Sequence, residues 1–108
     1  MNVFYSAKVE DYWFDLVKVL HEKHYFSDLN NAINYVLKLR TEIEQTIHLR
    51  QTYKTPTVLK QYGLHYKKFS ISERTTWVVI YTIIEDTYYI NFITNNHSKE
   101  AAYLHGLN

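Results

Sequence analysis

The chain contains no cysteine, and this absence excludes several kinds of chemistry at once. A disulfide framework, a metal site with thiolate ligands and a cysteine nucleophile all require that residue. The lack of cysteine also fits a reducing compartment. No apolar run approaches the roughly 18 residues of a membrane-spanning helix, and the beginning, MNVFYSAKVEDYW, lacks the basic and then apolar pattern of a secretory signal. We therefore expect a cytoplasmic protein with no membrane association.

Proline and glycine are almost as scarce, with one proline and two glycines among 108 residues. Pro56 and Gly63 both fall between residues 51 and 63, which we interpret as the main connection of the chain. No other stretch has the composition of a linker, and the length suits a single domain over residues 1–108. Since 46% of the residues are apolar, we expect a packed core rather than a disordered chain.

Two amphipathic helices are predicted before this connection. A short strand over residues 2–6 ends at Ser6, whose hydroxyl can cap a helix over about residues 7–24. A second helix is predicted over about residues 27–50. The apolar residues that repeat at helical spacing are Val9, Trp13, Leu16 and Leu20 in the first helix, and Leu29, Ile33, Val36, Ile43 and Ile47 in the second. Because the link between the helices is so short, they should pack as an antiparallel hairpin.

Three strands are predicted after the connection, because β-branched and aromatic residues dominate there. They are residues 64–71 (LHYKKFSI), 76–84 (TWVVIYTII) and 87–94 (TYYINFIT). Glu85 and Asp86 form a tight turn between the last two, so the strands should make an antiparallel meander. Residues 95–108 are predicted to form a short, weak helix and a tail.

These elements predict an α+β fold in which the helical hairpin covers one face of the sheet. The strand at residues 2–6 should join an edge of the sheet. The opposite face of the sheet is then expected to stay open to solvent, where it could contact a partner. An open face of this kind is also common in proteins that bind nothing there.

Charge is unevenly placed, although the net charge of the whole chain is only +1. Residues 50–74 contain six basic residues against Glu73 alone, a local charge of +5. Lys67 and Lys68 are adjacent on a predicted strand, so they should point to opposite faces, and Arg74 lies in the turn that follows. The cluster could bind an anionic partner, or it could simply be a solvated surface.

The last third of the chain carries the residues on which a family resemblance rests. The basic strand LHYKKFSI precedes WVVIY, which ends at Tyr81, and YYINFIT then leads to His97 and, six residues later, Tyr103. This order of residues and elements resembles the toxins of the RelE/ParE superfamily, over nearly the whole chain. The resemblance implies the toxin of a type II toxin-antitoxin, or plasmid stabilisation, system, which inhibits growth until a cognate antitoxin binds it. It also implies that no metal or other cofactor is needed.

One branch of this family cleaves messenger RNA in the ribosome, and the other binds DNA gyrase. Cleavage by the ribose 2′-hydroxyl needs a base, cations that stabilise the phosphorane, and an acid. One of the two strand lysines or Arg74 could supply the cation, His97 could act as acid or base, and Tyr103 could stack on a base or donate a proton. The alternative is that these side chains only support the strand, the turn, the loop and the tail.

The ribonuclease branch usually has an arginine three residues before the tyrosine of the central strand, and Val78 stands there in this chain. This departure favours the gyrase-binding branch, in which no residue is catalytic and Lys67, Lys68, Arg74 and Tyr81 are contact residues. A metal-independent ribonuclease with His97 and Tyr103 as catalytic residues is the alternative. A non-toxic interaction module of the same fold is a second alternative. His21 and His24 have a spacing that two metal ligands could use, but no third ligand accompanies them, so no metal site is predicted.

Overall fold

A computed structural model describes residues 2–23 and 25–107, and it confirms the predicted α+β class. Its helices and strands are β1 (Asn2–Tyr5), α1 (Ala7–Glu22), α2 (Leu29–Thr46), β2 (Tyr53–Lys54), β3 (His65–Phe69), β4 (Trp77–Ile84) and β5 (Thr87–Asn95). Short 3₁₀ segments lie at Ile47–Leu49, Thr57–Tyr62 and Lys99–Tyr103. His24, at the predicted end of the first helix, lies outside the described residues.

Both helices begin at a side-chain cap, and the cap of the first helix is the predicted Ser6. The Ser6 Oγ accepts a hydrogen bond from the amide of Val9, and the Asp28 carboxylate accepts one from the amide of Asn30. The second helix ends at Thr46 rather than near residue 50, where the chain tightens into the 3₁₀ segment Ile47–Leu49. The hydroxyl of Thr46 bonds back to the carbonyl of Glu42 at this end. The side chain of Ile47 nevertheless completes the buried stripe, as its spacing predicts.

The sheet has the strand order β1-β5-β4-β3-β2, in which β1 is parallel to β5 and the other pairs are antiparallel. The predicted meander is therefore β3, β4 and β5, and the prediction that the first strand joins an edge is confirmed. The strand β2 was predicted as part of the connection over residues 51–63. It has only two residues, which are too few to produce an alternating pattern in the sequence.

The expectation that one sheet face is open is wrong, because both faces carry a core. Trp77, Val79 and Tyr81 of β4 pack under the two helices. Val78 and Ile80 of β4 face the other side of the sheet, where they form a second apolar cluster with the segments that cover this second face. The buried members of the cluster are Leu59, Tyr66, Val78, Ile80, Ala101, Leu104 and Leu107. An apolar run such as that of β4 places apolar side chains on both faces, so two covers are needed. On the edge strand β1, Phe4 is 55% exposed.

The hairpin between β4 and β5 turns on two residues with positive φ, Glu85 at 46° and Asp86 at 66°. Positive φ at both central residues is the type I′ turn, which matches the twist of antiparallel strands. Neither side chain is the one that this turn prefers, since Asn-Gly has the strongest preference. The turn therefore holds backbone strain that a substitution can relieve.

Replacing Glu85 by asparagine and Asp86 by glycine should stabilise the protein by about 1 kcal/mol, because non-glycine residues in left-handed conformations cost roughly that amount. The midpoint of urea unfolding should rise without a change in slope. Asp86→Ala is the matched control and should lower the midpoint, since alanine tolerates positive φ less well than aspartate. A double variant that unfolds at the wild-type urea concentration would show that this turn is not strained.

Candidate functional site

The two lysines predicted as contact residues lie on opposite sides of the sheet, as strand alternation requires. Lys67 faces the helices and is only 4% exposed. Its Nζ donates a hydrogen bond to the carbonyl of Ile47 at 2.7 Å and lies 5.3 Å from the ring centroid of Tyr88. Burial lowers the pKa of Lys67. This lysine fastens the end of α2 to the sheet, so the structure does not present it to an outside partner.

Tyr81 is also internal, with 2% of its surface exposed. Its ring packs edge-on against Tyr88 and lies 5.9 Å from the Lys67 ammonium. Burial raises the pKa of the Tyr81 hydroxyl. The tyrosine that carries part of the family resemblance is thus a core residue in this conformation, rather than part of an exposed contact surface.

Lys68 faces the other side of the sheet, where the end of the chain covers it. Its Nζ donates to the carbonyl of His105 at 2.9 Å and lies 4.5 Å from the ring centroid of Tyr53. The hydroxyl of Tyr66 accepts a hydrogen bond from the amide of His105 at 2.8 Å. The ring of His105 stacks on Tyr53 with 5.4 Å between centroids. Of Lys67 and Lys68, Lys68 is therefore the one that could reach a partner, beside this segment.

Arg74 and His97 are brought to one exposed rim by the side chain of Asn96. The Asn96 amide donates to the carbonyl of Arg74 at 3.1 Å, and its oxygen accepts from the amide of Thr76 at 2.9 Å. The Nε2 of His97 lies 3.4 Å from the Thr75 hydroxyl. Asn96 thus holds the backbone of Arg74 against the loop that carries His97, and both Arg74 and His97 are exposed at this end of the sheet.

Tyr103 is 57% exposed and lies on the wall of a separate shallow cleft of about 430 Å³. Tyr62, Phe92 and Glu100 line the same cleft. Within residues 2–23 and 25–107, no hydrogen bond or salt bridge joins Tyr103 to His97 or joins either residue to a strand lysine. No direct bond therefore links the candidate acid, base and lysines of RNA cleavage in the described part of the chain, and Lys67 lies on the opposite face of the sheet from Lys68.

A second cleft, of about 260 Å³, adjoins the first and contains residues that the sequence analysis did not select. The ammonium of Lys8 lies 4.6 Å from the ring centroid of Tyr62, over a stacked Tyr62–Phe92 pair. One carboxylate oxygen of Glu100 is buried with no hydrogen-bond partner in the described part of the chain. Burial, together with the Glu100 charge, raises the pKa of Tyr12 to about 12. No sequence signal connects these residues, because they come from α1, β5 and the segments that cover the sheet.

Comparison with models of protein families, with curated proteins and with solved structures found no match to this chain. In the part of the chain that the structure describes, no three His, Asp or Glu side chains are grouped so that they could hold a metal ion. Neither described helix has the length and apolar character needed to cross a membrane. The site is therefore defined by its geometry, which is a basic rim at Arg74 and His97 and a covered basic residue at Lys68.

The buried tyrosines make stability sensitive to alkaline pH. Burial raises the pKa of Tyr5, Tyr81 and Tyr88 above the ordinary value near 10, as it does for Tyr12. Their contribution is fully present below pH ~10 and is lost as the pH rises above it, because the unfolded chain releases these protons first. The contribution of Lys67 to the pH dependence of stability has the opposite sign, since its lowered pKa makes stability rise with pH up to about 10.5.

We therefore expect the free energy of unfolding to fall as the pH rises above about 10, where the four tyrosines outweigh the single lysine. Urea unfolding at several pH values between about 9 and 11 measures this slope. Tyr5→Phe should make the slope shallower, since it removes one of the four groups. A midpoint that stays constant over this range would contradict the assignment of these hydroxyls to the core.

Proposed function

We propose that this chain is the toxin of a type II toxin-antitoxin system and that it acts in the cytoplasm by binding a protein target such as DNA gyrase. The order of strand, helical hairpin, meander and short C-terminal segment supports the proposal, because it is the order that the family resemblance implies. Toxin action by binding needs an exposed recognition surface and no catalytic group. The rim that contains Arg74 and His97 supplies such a surface.

The placement of the candidate catalytic groups favours a toxin that acts by binding over the ribonuclease alternative. A general base must lie within hydrogen-bond reach of the proton that it removes. Lys67 lies under the helices, Lys68 is bonded to the C-terminal segment, and Tyr103 stands in a cleft with no bond to His97. Val78, at the place of the family's arginine, is fully buried, so no cation enters the site from β4. Binding without catalysis therefore fits the arrangement better.

The exposed apolar residues of α2 suit the second partner that the proposal requires, a cognate antitoxin. Leu29, Ile33 and Leu37 are spaced four residues apart and are between 37% and 53% exposed. This spacing places them on one side of the helix. The prediction that Leu29 and Ile33 belong to the buried stripe is wrong, because the residues of α2 that face the core are Ala32, Val36, Leu39 and Ile43. Exposed apolar residues at such spacing are typical of a surface on which a partner helix packs.

Induced expression in bacteria tests the proposal, with growth, plasmid supercoiling and message integrity as the readouts. We expect growth arrest and loss of gyrase supercoiling while messages stay intact, and we expect co-expression of an antitoxin from a neighbouring gene to restore growth. His97→Ala should leave the toxicity nearly unchanged, whereas Arg74→Glu should reduce it by reversing the charge of the rim. Normal growth at high expression would instead indicate the non-toxic interaction module.

The ribonuclease remains the second candidate, because Arg74 and His97 share one rim through Asn96. In this case His97 would act as acid or base, and the Arg74 guanidinium would supply the cation. Message cleavage that disappears in His97→Ala and in Tyr103→Phe, with gyrase unaffected, would identify this mechanism. Cleavage that survives both substitutions would exclude these two residues as catalytic groups.

A further inference from the structure

The last described residues, Leu104–Leu107, lie across the second face of the sheet, and we refer to them as the C-terminal cover. Leu104 and Leu107 are 2% and 7% exposed and complete the second apolar cluster. Between them, His105 stacks on Tyr53, and its backbone bonds to the side chains of Tyr66 and Lys68. The cover thus occupies the surface where a cationic and aromatic contact with a partner was expected.

The cover is attached mainly through side chains rather than through sheet pairing. The strand ladder of the described residues does not include the cover, and the backbone amide of Leu104 bonds only to the nearby carbonyl of Ala101. Gly106 has a φ of 73°, which allows the chain to turn above Lys68. By contrast, the segment Thr57–Tyr62 on the same face is held between β2 and β3. The cover can therefore leave the sheet without breaking a strand pair.

Removal of the cover would leave Lys68 without its hydrogen-bond acceptor in the protein and two tyrosines without their present neighbours. Lys68 forms no salt bridge within the described residues, and its hydrogen bond goes to a neutral carbonyl. A carboxylate is a stronger acceptor for an ammonium than a carbonyl is. Apolar side chains must also replace Leu104 and Leu107 over the second cluster. The surface beneath the cover therefore suits a protein segment that carries an acidic and an apolar side chain.

We propose that the C-terminal cover is displaceable and competes with an acidic and apolar segment of the target protein for the surface of Lys68, Tyr53 and Tyr66. This inference rests on the proposed function, because it names the regulation of the same binding face. The covered state is the inactive one. Displacement exposes Lys68 next to two aromatic side chains, Tyr53 and Tyr66.

Gly106→Ala tests the inference, because it weakens the cover without changing the sheet or the two leucines. Alanine disfavours the left-handed φ, and its Cβ would lie 3.1 Å from the Lys68 Nζ. Labelling of lysines with an amine-reactive ester, followed by mass spectrometry, should show a rise of about fivefold in the Lys68 rate relative to exposed Lys60. Ala102→Ser, an exposed change in the preceding segment, is the control and should leave this ratio unchanged.

The same variants are then compared in gyrase supercoiling and growth assays, with circular dichroism to verify that each is folded. Gly106→Ala should inhibit gyrase at a several-fold lower concentration than the wild type. Unchanged Lys68 labelling in a folded variant overturns the inference, and so does increased labelling with unchanged inhibition. If the variant labels faster while neither protein affects growth or gyrase, the proposed function fails and the displaceable cover itself is supported.

Discussion

Replacing Gly63 by alanine should destabilise the protein by about 3–5 kcal/mol, which is a large part of the stability of a domain of this size. Gly63 is buried at a φ of 149°, between the segment Thr57–Tyr62 and β3. A Cβ at this position would lie 2.4 Å from the carbonyl oxygen of Tyr81 and 2.6 Å from its carbonyl carbon. These atoms belong to the backbone of the central strand, so they cannot move aside as a flexible side chain can. The unfavourable φ and the overpacking each contribute.

Gly106→Ala is the matched control for this prediction, because Gly106 also has a positive φ but faces only the flexible end of Lys68. Its cost should be about 1 kcal/mol. Urea unfolding of the two variants and the wild type measures both effects, and loss of soluble Gly63→Ala protein would be the extreme form of the expected result. If both variants unfold at similar urea concentrations, the close approach of Gly63 to β4 is not a constraint on the fold.

Most of the fold could be predicted from local patterns in the sequence. The cap at Ser6 and the apolar residues at helical spacing predict two helices, and the β-branched runs predict the meander. The burial of the second sheet face could have been inferred from β4, since its uninterrupted apolar run means that both faces need burial. The segments that bury this second face could not be inferred, because Leu59, Leu104 and Leu107 show no regular spacing in the sequence.

The candidate site was predictable only in part, for a similar reason. Strand alternation predicts that Lys67 and Lys68 face opposite ways, but not which of them is buried. The burial of Lys67 depends on the carbonyl of Ile47, which becomes available where α2 tightens into a 3₁₀ turn. The approach of the Arg74 backbone to the loop of His97 depends on the side chain of Asn96, which links two loops about 20 residues apart. Contacts of this kind leave no periodic signal.

The buried position of Lys67 gives the second large effect, since Lys67→Ala should destabilise the protein by about 3–4 kcal/mol. The substitution removes most of a buried aliphatic side chain, at about 0.8 kcal/mol for each methylene. It also leaves the carbonyl of Ile47 without its donor, which costs about 1–3 kcal/mol. The relief of a desolvated charge offsets part of this loss, because burial already disfavours the ammonium, as the lowered pKa of Lys67 indicates.

Lys67→Met separates the packing of this side chain from its charge. Methionine fills nearly the same volume, so the cavity does not form, and the expected cost is about 1 kcal/mol from the unpaired carbonyl alone. Unfolding in urea measures the stability of both variants, and growth inhibition measures their toxicity. Because Lys67 is 4% exposed and its ammonium is bonded inside the core, Lys67→Met should keep its toxicity while Lys68→Met loses it. A stable Lys67→Met protein that no longer inhibits growth would show that the target reaches this lysine, and that the helical hairpin must open for it to do so.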